Sequence, residues 1–225
     1  MGKSIITLAI YFDTPIEQHE VGFFRGAVLK SLGKKADVLY HNHTGEDKFR
    51  YAYPLIQYKR LRGKAAIVCV EDGVGLVGQI LSELSGTLSI GQREAFCQIA
   101  EVKASNTPVE IVESVVTYQL SHWLPLSARN YALYQNTDEL VERLKILERI
   151  LTGNILSFLK GVDIHVDEQL QIGITEITKQ QVVSYKQVKL LSFDIKFKAN
   201  ISLPPYIGIG KNASVGCGVI RKINN

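Results

Sequence analysis

Cysteine is scarce in this sequence, which contains three in 225 residues together with one methionine and one tryptophan. Cys69, Cys97 and Cys217 are far apart, each lies in an apolar segment, and no Cys-x-x-Cys pair occurs. An odd number of separated cysteines argues against a zinc ribbon and indicates buried thiols in a reducing compartment. We therefore expect a cytoplasmic protein.

Long apolar runs are also missing. No run reaches the ~20 residues that a membrane-spanning helix needs. Residues 1–12 alternate like a strand and lack the apolar centre of a signal peptide. Apolar residues make up 46% and charged residues 21% of the chain, which is typical of a folded domain. The net charge of +4 permits nucleic-acid binding without arguing for it. We expect no membrane partner.

Hydrophobic periodicity in the first half predicts the order βαββαβ. Strands are expected over 4–12, 53–61 and 65–70 and once or twice within 87–102, and helices over 20–32 and 73–84. This is the order of a ferredoxin-like fold. A turn signal, Ser-Asn-Thr-Pro at 105–108, predicts the boundary between two domains, residues 1–106 and 107–225.

The second half predicts a looser β-α-β-β version of the same order. A β-branched strand is expected over 109–120, and a long helix over 138–159 with a kink or break near Gly153. Strands follow over 168–177, 182–185 and 188–201, and a short apolar strand ends the chain.

The C-terminal stretch has the pattern G-x-G-x(5)-G-x-G, formed by Gly208, Gly210, Gly216 and Gly218 with Lys211 inside it. Glycines at fixed spacing indicate unusual backbone angles or a close approach to another group. A loop of backbone N–H groups with a lysine suits phosphate, whereas the simpler interpretation is a tight hairpin before the last strand. The pattern lacks the strand–helix context of a dinucleotide fingerprint and the Gly-Lys-Ser/Thr of a Walker loop.

Two of the five histidines, His41 and His43, lie two positions apart in a polar stretch. In an extended segment their side chains point the same way, roughly 6–7 Å apart. Two imidazoles at this spacing suit a phosphodiester, because one can accept a proton from an attacking hydroxyl while the other donates one to the leaving oxygen. Groups that could stabilise charge on the phosphate follow in sequence: Lys48, Arg50, Tyr51, Tyr58 and Lys59.

Two alternatives apply to the same histidines. His-x-His also occurs in metal sites, for which Glu46 and Asp47 are the nearby additional ligands. The stretch is also compatible with a polar turn between strands. From the residues alone all three interpretations stay open.

Several segments together resemble a known family. They are Phe24-Arg25-Gly26-Ala27, Tyr40-His41-Asn42-His43, the Tyr-Pro-Leu-Ile-Gln-Tyr-Lys stretch at 53–59, and the Gly-rich segment. The likeness is to the CRISPR-associated repeat-processing endoribonucleases of the RAMP superfamily, whose members carry a Gly-rich loop near the C terminus. It extends over essentially the whole chain.

The resemblance implies an α+β fold of two tandem ferredoxin-like (RRM-like) modules, the candidate catalytic histidines in the first and the Gly-rich loop in the second. It also implies metal-independent cleavage of CRISPR precursor transcripts within the repeats, with no cofactor. The RNA 2′-hydroxyl would attack the adjacent phosphate and leave a 2′,3′-cyclic phosphate, which restricts the substrate to RNA.

Site residues follow from the same resemblance. The catalytic candidates are His41, His43, Tyr51, Lys30 and Lys48. The RNA-binding candidates are Arg50, Lys59, Gly208, Gly210, Lys211, Gly216 and Gly218. The implied partners are CRISPR repeat RNA, subunits of a CRISPR effector complex and a second copy of the chain. The alternative function is a non-catalytic RNA-binding subunit of such a complex.

Overall fold

The computed structural model describes residues 3–33, 43–44, 48–49, 53–84, 86–185 and 187–223. The chain divides into two compact units. The N-terminal unit comprises Ser4–Thr107 together with Ser214–Gly216. The C-terminal unit comprises Met1–Lys3, Pro108–Ala213 and Cys217–Asn225. Three residues of the Gly-rich segment therefore belong to the unit formed by the first half of the chain.

The N-terminal unit is a four-stranded sheet with two helices. Its strands and helices are β1 (Lys3–Pro15), α1 (Val21–Leu32), β2 (His43–Thr44), β3 (Lys48–Phe49), β4 (Ile56–Leu61), β5 (Lys64–Val70), α2 (Val77–Glu83), β6 (Gly86–Ile90), β7 (Arg93–Cys97) and β8 (Ile99–Val109). The sheet order is β4-β5-β1-β8. Without the short β2–β3 and β6–β7 pairs this is βαββαβ, as the periodicity predicts.

The core of this unit lies between α1 and the sheet. Every residue of β5 after Lys64 is buried, which explains the unbroken apolar run in the sequence. Phe24 on α1 contacts Phe12 edge-on with ring centres 5.5 Å apart, and it contacts Tyr58 in the same way at 6.0 Å. These contacts fix the face of α1 that points inward, and hence the face that remains exposed.

The C-terminal unit repeats the architecture in a modified form. Its strands and helices are β9 (Ile111–Trp123), α3 (Ala128–Gln135), α4 (Leu140–Gly161), β10 (Ile172–Tyr185), β11 (Val188–Ile201) and β12 (Val219–Lys222). The sheet order β10-β11-β9-β12 matches that of the first unit, strand for strand. The Gly-rich segment replaces the second crossover helix. The predicted fold class, two tandem ferredoxin-like modules, is confirmed.

Several local predictions were wrong. The segment 105–108 was predicted as a turn but lies in β8, at the sheet edge, where Pro108 is tolerated because its missing N–H has no neighbouring strand to bond. Helix α4 continues through Gly153, so the predicted break is absent. The strands predicted over 168–177 and 182–185 are one strand, β10. Helix α3 was missed because it is short and mostly exposed.

A charged cluster holds the start of α1 against β7. The Arg93 Nε–H donates to Glu20 Oε1 at 2.8 Å, and its Nη2–H donates to the Pro15 carbonyl at 2.8 Å. The Glu17 backbone N–H donates to Glu20 Oε2 at 2.7 Å. The bonds from Arg93 and from Glu17, in that order, lower the pKa of Glu20 from about 4.5 to about 2.

Acid is expected to weaken this unit through Glu20. Its folded pKa is depressed, so its contribution to stability is present above about pH 4.5 and is lost as the pH falls towards 2. Because Arg93 is 44% exposed and solvent screens the pair, we expect about 1 kcal/mol. Urea unfolding of wild type and Glu20→Gln at about pH 7 and about pH 3 tests this. An equal stability difference at both pH values would contradict it.

Within the described ranges no helix is long and apolar enough to cross a bilayer.

Candidate nucleic-acid interface

The Gly-rich segment folds as a closed loop immediately before β12. Backbone bonds pair its two arms, from the Ile209 N–H to the Gly218 carbonyl at 2.7 Å and from the Ile220 N–H to the Ile207 carbonyl at 3.0 Å. The Gly218 N–H donates to the His122 carbonyl at 3.1 Å, which ties the loop to β9. The tight hairpin considered from the sequence is therefore present.

Packing within the protein accounts for all four glycines. An added Cβ would lie 2.8 Å from the Ala213 carbonyl oxygen at Gly208, 2.6 Å from Asn154 Oδ1 at Gly210, 3.1 Å from Gln18 Nε2 at Gly216, and 1.9 Å from the Ile209 carbonyl oxygen at Gly218. Three of the four also have positive φ angles, between 60° and 86°. The close approach that glycine spacing indicates is thus an approach to the protein itself.

The middle of the loop joins the N-terminal unit. The Tyr58 N–H on β4 donates to the Ser214 carbonyl at 2.9 Å, and Val215 forms a parallel bridge with Tyr58. The Gln18 Nε2 amide donates to the Gly216 carbonyl at 2.9 Å. Residues 214–216 therefore extend the sheet at its β4 edge, next to the start of α1. Sequence reasoning missed Gln18 because its partner is nearly two hundred positions away.

Lys211 is exposed at the turn of this loop, beside Asn212, which has a left-handed φ of 59°. It is the cation of the Gly-rich segment, and its position leaves the ammonium accessible to a polyanion. Its predicted role in RNA binding stays a prediction.

The two-residue strands β2 and β3 form an antiparallel pair. His43 lies opposite Phe49, and Thr44 lies opposite Lys48. The backbone thus brings two of the predicted site residues, His43 and Lys48, to neighbouring positions of one hairpin. His41, Arg50 and Tyr51 lie outside the described residues.

The metal hypothesis concerns residues of the same stretch. Its additional ligands, Glu46 and Asp47, also lie outside the described residues. Elsewhere, among positions that the structure describes, no group of three His, Cys, Asp or Glu side chains is arranged to hold a metal ion.

Lys30 and Lys59, the two predicted site lysines not yet described, differ in their exposure to solvent. Lys30 is exposed on α1, in the last turn before Gly33 ends the helix. Lys59 is fully buried on β4, where four consecutive residues are buried on both faces. This burial argues against an RNA contact at Lys59, which the sequence alone did not indicate because an edge strand is usually half exposed.

A row of polar and basic residues crosses the outer face of the C-terminal sheet. Arg221 on β12 lies opposite Gln119 on β9, which lies opposite Lys196 on β11. Lys196 is bonded to Glu176 at 2.6 Å, whereas Lys198, two positions on, is exposed. Sequence reasoning missed this surface, since its residues are on separate strands and share no motif.

The fold and the loop define a class of proteins with two ferredoxin-like units and a Gly-rich loop before the last strand. Family models for the Cas6b N-terminal domain and the Cas6b C-terminal domain match residues 3–108 and 110–223. The chain belongs to the Cas6b family. The resemblance found in the sequence is thereby confirmed.

Two solved structures and one curated protein are similar to this chain. A crystal structure of Cas6b is similar over 98% of this chain and 100% of its own, with a TM-score of 0.86 and 26% identity. A second, of the CRISPR RNA processing endoribonuclease Cas6b, has a TM-score of 0.76 and 23% identity over the same shares. An uncharacterised protein of Methanocaldococcus jannaschii is 37% identical over 114 residues, which are 50% of this chain and 76% of that protein.

Proposed function

We propose that this protein is an endoribonuclease that cleaves CRISPR precursor transcripts within their repeats. The observation that carries the proposal is the match of both halves of the chain to Cas6b domains. It is supported by the likeness of the whole fold to a Cas6b crystal structure, at a TM-score of 0.86. Cas6b in a second such structure is described as a CRISPR RNA processing endoribonuclease.

The proposed chemistry uses the RNA as its own nucleophile. The 2′-oxygen bonds to the adjacent phosphorus, and the bond from phosphorus to the 5′-oxygen breaks. One of His41 and His43 accepts the 2′-hydroxyl proton, and the other donates a proton to the departing 5′-oxygen. The products are a 2′,3′-cyclic phosphate and a 5′-hydroxyl, and the reaction requires no metal.

Three further residues complete the proposed active site. Tyr51 hydrogen-bonds the reacting hydroxyl or the scissile phosphate. Lys30 and Lys48 place positive charge where the phosphorane develops negative charge. The exposure of Lys30 on α1 supports its role. Lys48 lies in the same β2–β3 hairpin as His43, opposite Thr44.

RNA binding is assigned to basic side chains. Arg50 and the exposed Lys211 contact the phosphate backbone, and Lys198 and Arg221, both exposed, provide further contacts on the C-terminal sheet. The four glycines act by shaping the loop that carries Lys211. Binding then weakens as salt rises, because each phosphate contact releases counterions. Further proposed partners are subunits of a CRISPR effector complex and a second copy of the chain.

Cleavage of the cognate repeat RNA in excess EDTA tests the chemistry. We expect cleavage to persist in EDTA and to stop when the scissile nucleotide carries a 2′-deoxyribose, since the nucleophile is then missing. A product ending in a 2′,3′-cyclic phosphate is expected by mass spectrometry. Loss of cleavage in EDTA would support the metal hypothesis for His41 and His43. Tight binding without cleavage under any condition would support the RNA-binding subunit.

A further inference from the structure

Helix α1 carries two adjacent phenylalanines in opposite environments. Phe24 is fully buried in the core, whereas Phe23 is 53% exposed. Exposing a ring of this size to water is unfavourable, and a helix tolerates smaller or polar residues at such a position. Phe23 is not part of the core, so a role for its ring is to be sought on the exposed side of the helix.

The Phe23 ring rests against the turn between β6 and β7. Gly91 in that turn has a φ of 64°, and an added Cβ there would lie 3.2 Å from Phe23 Cδ2. On β6, just before the turn, Leu88 and Ile90 are both buried, which anchors the hairpin. The glycine backbone thus supports the ring on one side while more than half of its surface faces solvent.

The helix surface next to Phe23 is open and leads to Lys30. Gly26 follows Phe23 by three positions and precedes Lys30 by four, so it lies between them on the same face. An added Cβ at Gly26 would meet no atom within 4 Å. Phe23 and Lys30 are two turns apart, about 10.5 Å along the axis. The exposed ring and the exposed ammonium therefore bound a shallow trough with no side chain at its centre.

The charge of this surface suits a polyanion. Between Val21 and Leu32 the helix contains no carboxylate. Lys30 is the cation that shares the face of Phe23 and Gly26, since Arg25 lies on a different side of the helix. The acidic residue immediately before it, Glu20, is bonded to Arg93 and to the Glu17 backbone. An aromatic face beside positive charge is the arrangement that binds single-stranded nucleic acid, with the base on the ring and the phosphate at the cation.

We propose that Phe23 is a stacking platform for one unpaired base of the RNA substrate, whose backbone crosses Gly26 towards Lys30. This assignment rests on the proposed function and deepens it, since it requires unpaired RNA on this face of α1. The stacked base lies within one or two nucleotides of the phosphate that Lys30 contacts, because an extended nucleotide spans about 6–7 Å.

A tryptophan at position 23 provides a direct test. The chain has one natural tryptophan, Trp123, which is fully buried. In Phe23→Trp the new indole reports on stacking, and we expect its fluorescence to be quenched by cognate repeat RNA with a 2′-deoxy scissile nucleotide. Short oligo(A) should quench it more than oligo(U), because adenine stacks more strongly. The matched control is Phe96→Trp on β7, where the native ring is 66% exposed.

The two reporters separate the outcomes. Quenching at position 23 and none at position 96 supports the platform. Equal quenching at both positions, or none at position 23 with saturating RNA, would overturn it. Since the RNA is uncleavable, the result does not depend on catalysis. If wild type never cleaves natural repeat RNA but Phe23→Trp is quenched, the proposed function fails and the platform stands.

Affinity gives an independent measure. Phe23→Ala is expected to raise the Kd for repeat RNA about five-fold or more, and Phe23→Tyr to retain wild-type affinity, since stacking is lost in one and kept in the other. The midpoint of thermal unfolding should move little in Phe23→Ala because the ring is exposed. An unchanged Kd in Phe23→Ala would contradict the proposal.

A substitution at Gly26 tests whether the RNA backbone crosses α1 at this position. Gly26→Ala should stabilise the helix, as alanine is the better helix former and its Cβ has room. The same change should raise the Kd for RNA, because the Cβ projects into the trough. Gly153→Ala on α4, where an added Cβ also meets nothing within 4 Å, should stabilise without affecting binding. Equal affinity in both variants would argue against the path.

Discussion

Replacing His41 or His43 with alanine is expected to reduce the rate of repeat cleavage by about 10²–10⁴, because each change removes a positioned acid or base. Affinity for uncleavable repeat RNA should remain close to that of wild type. Single-turnover cleavage with enzyme in excess measures the chemical step, and filter binding with the 2′-deoxy substrate measures affinity. The double variant should lose little beyond the larger single effect if the two residues act as one unit.

An exposed histidine elsewhere provides the control. His165 lies in the loop after α4, is 90% exposed and approaches Asp167 at 3.2 Å. His165→Ala removes an imidazole without touching the proposed site, so it should cleave like wild type. If His41→Ala and His43→Ala also cleave at the wild-type rate, the acid–base assignment fails. If they lose binding as severely as cleavage, the histidines serve recognition and the RNA-binding alternative gains support.

Gly218→Ala is expected to destabilise the C-terminal unit by about 3 kcal/mol or more. Gly218 has a φ of 60°, and an added Cβ would lie 1.9 Å from the Ile209 carbonyl oxygen. The obstacle is backbone, and the Ile209 N–H donates to the Gly218 carbonyl at 2.7 Å in the same pairing, so neither partner can move without breaking the loop. Urea unfolding of the full chain measures the loss.

Gly63→Ala is the control that measures the cost of a left-handed backbone angle without the steric clash present at Gly218. Gly63 lies in the tight turn between β4 and β5 with a φ of 78°, and an added Cβ would find its nearest neighbour, Arg60 Nη2, at 3.8 Å. This variant should lose about 1 kcal/mol, the cost of the left-handed angle alone. A Gly218→Ala protein no less stable than Gly63→Ala would show that the Gly-rich loop is looser than its contacts indicate.

Most of the secondary structure could be predicted because its signals are local. The apolar stripe of α1 specifies one buried face, and the continuous apolar run of β5 specifies two. Both elements form where expected. Strand β11 has the predicted bounds, Val188–Ile201. Helix α3 has no such stripe, since Tyr134 is its one buried residue. Its N-cap bond, from the Asn130 N–H to Ser127 Oγ, does not depend on hydrophobic pattern.

Some features of the candidate site could likewise be predicted from short-range sequence, whereas others depend on tertiary contacts. The combination of two histidines with nearby cations such as Lys48 as chemistry for a phosphodiester follows from short-range sequence, and the backbone places His43 and Lys48 in one hairpin, opposite Phe49 and Thr44 respectively. The burial of Lys59 could not be anticipated, because it depends on what covers the β4 edge. The Tyr58 N–H bond to Ser214 supplies part of that cover and joins residues more than 150 positions apart.

By itself, the sequence determined the βαββαβ order of the first unit, because periodicity acts over a few neighbouring positions, and its resemblance to a known family implied the second module. Only the tertiary structure decided what the glycines do. Their spacing is equally suited to a ligand or to the protein's own backbone, and long-range packing places Ile209, Asn154 and Gln18 against three of them. The same packing placed Gly91 under Phe23 and left that ring open to solvent.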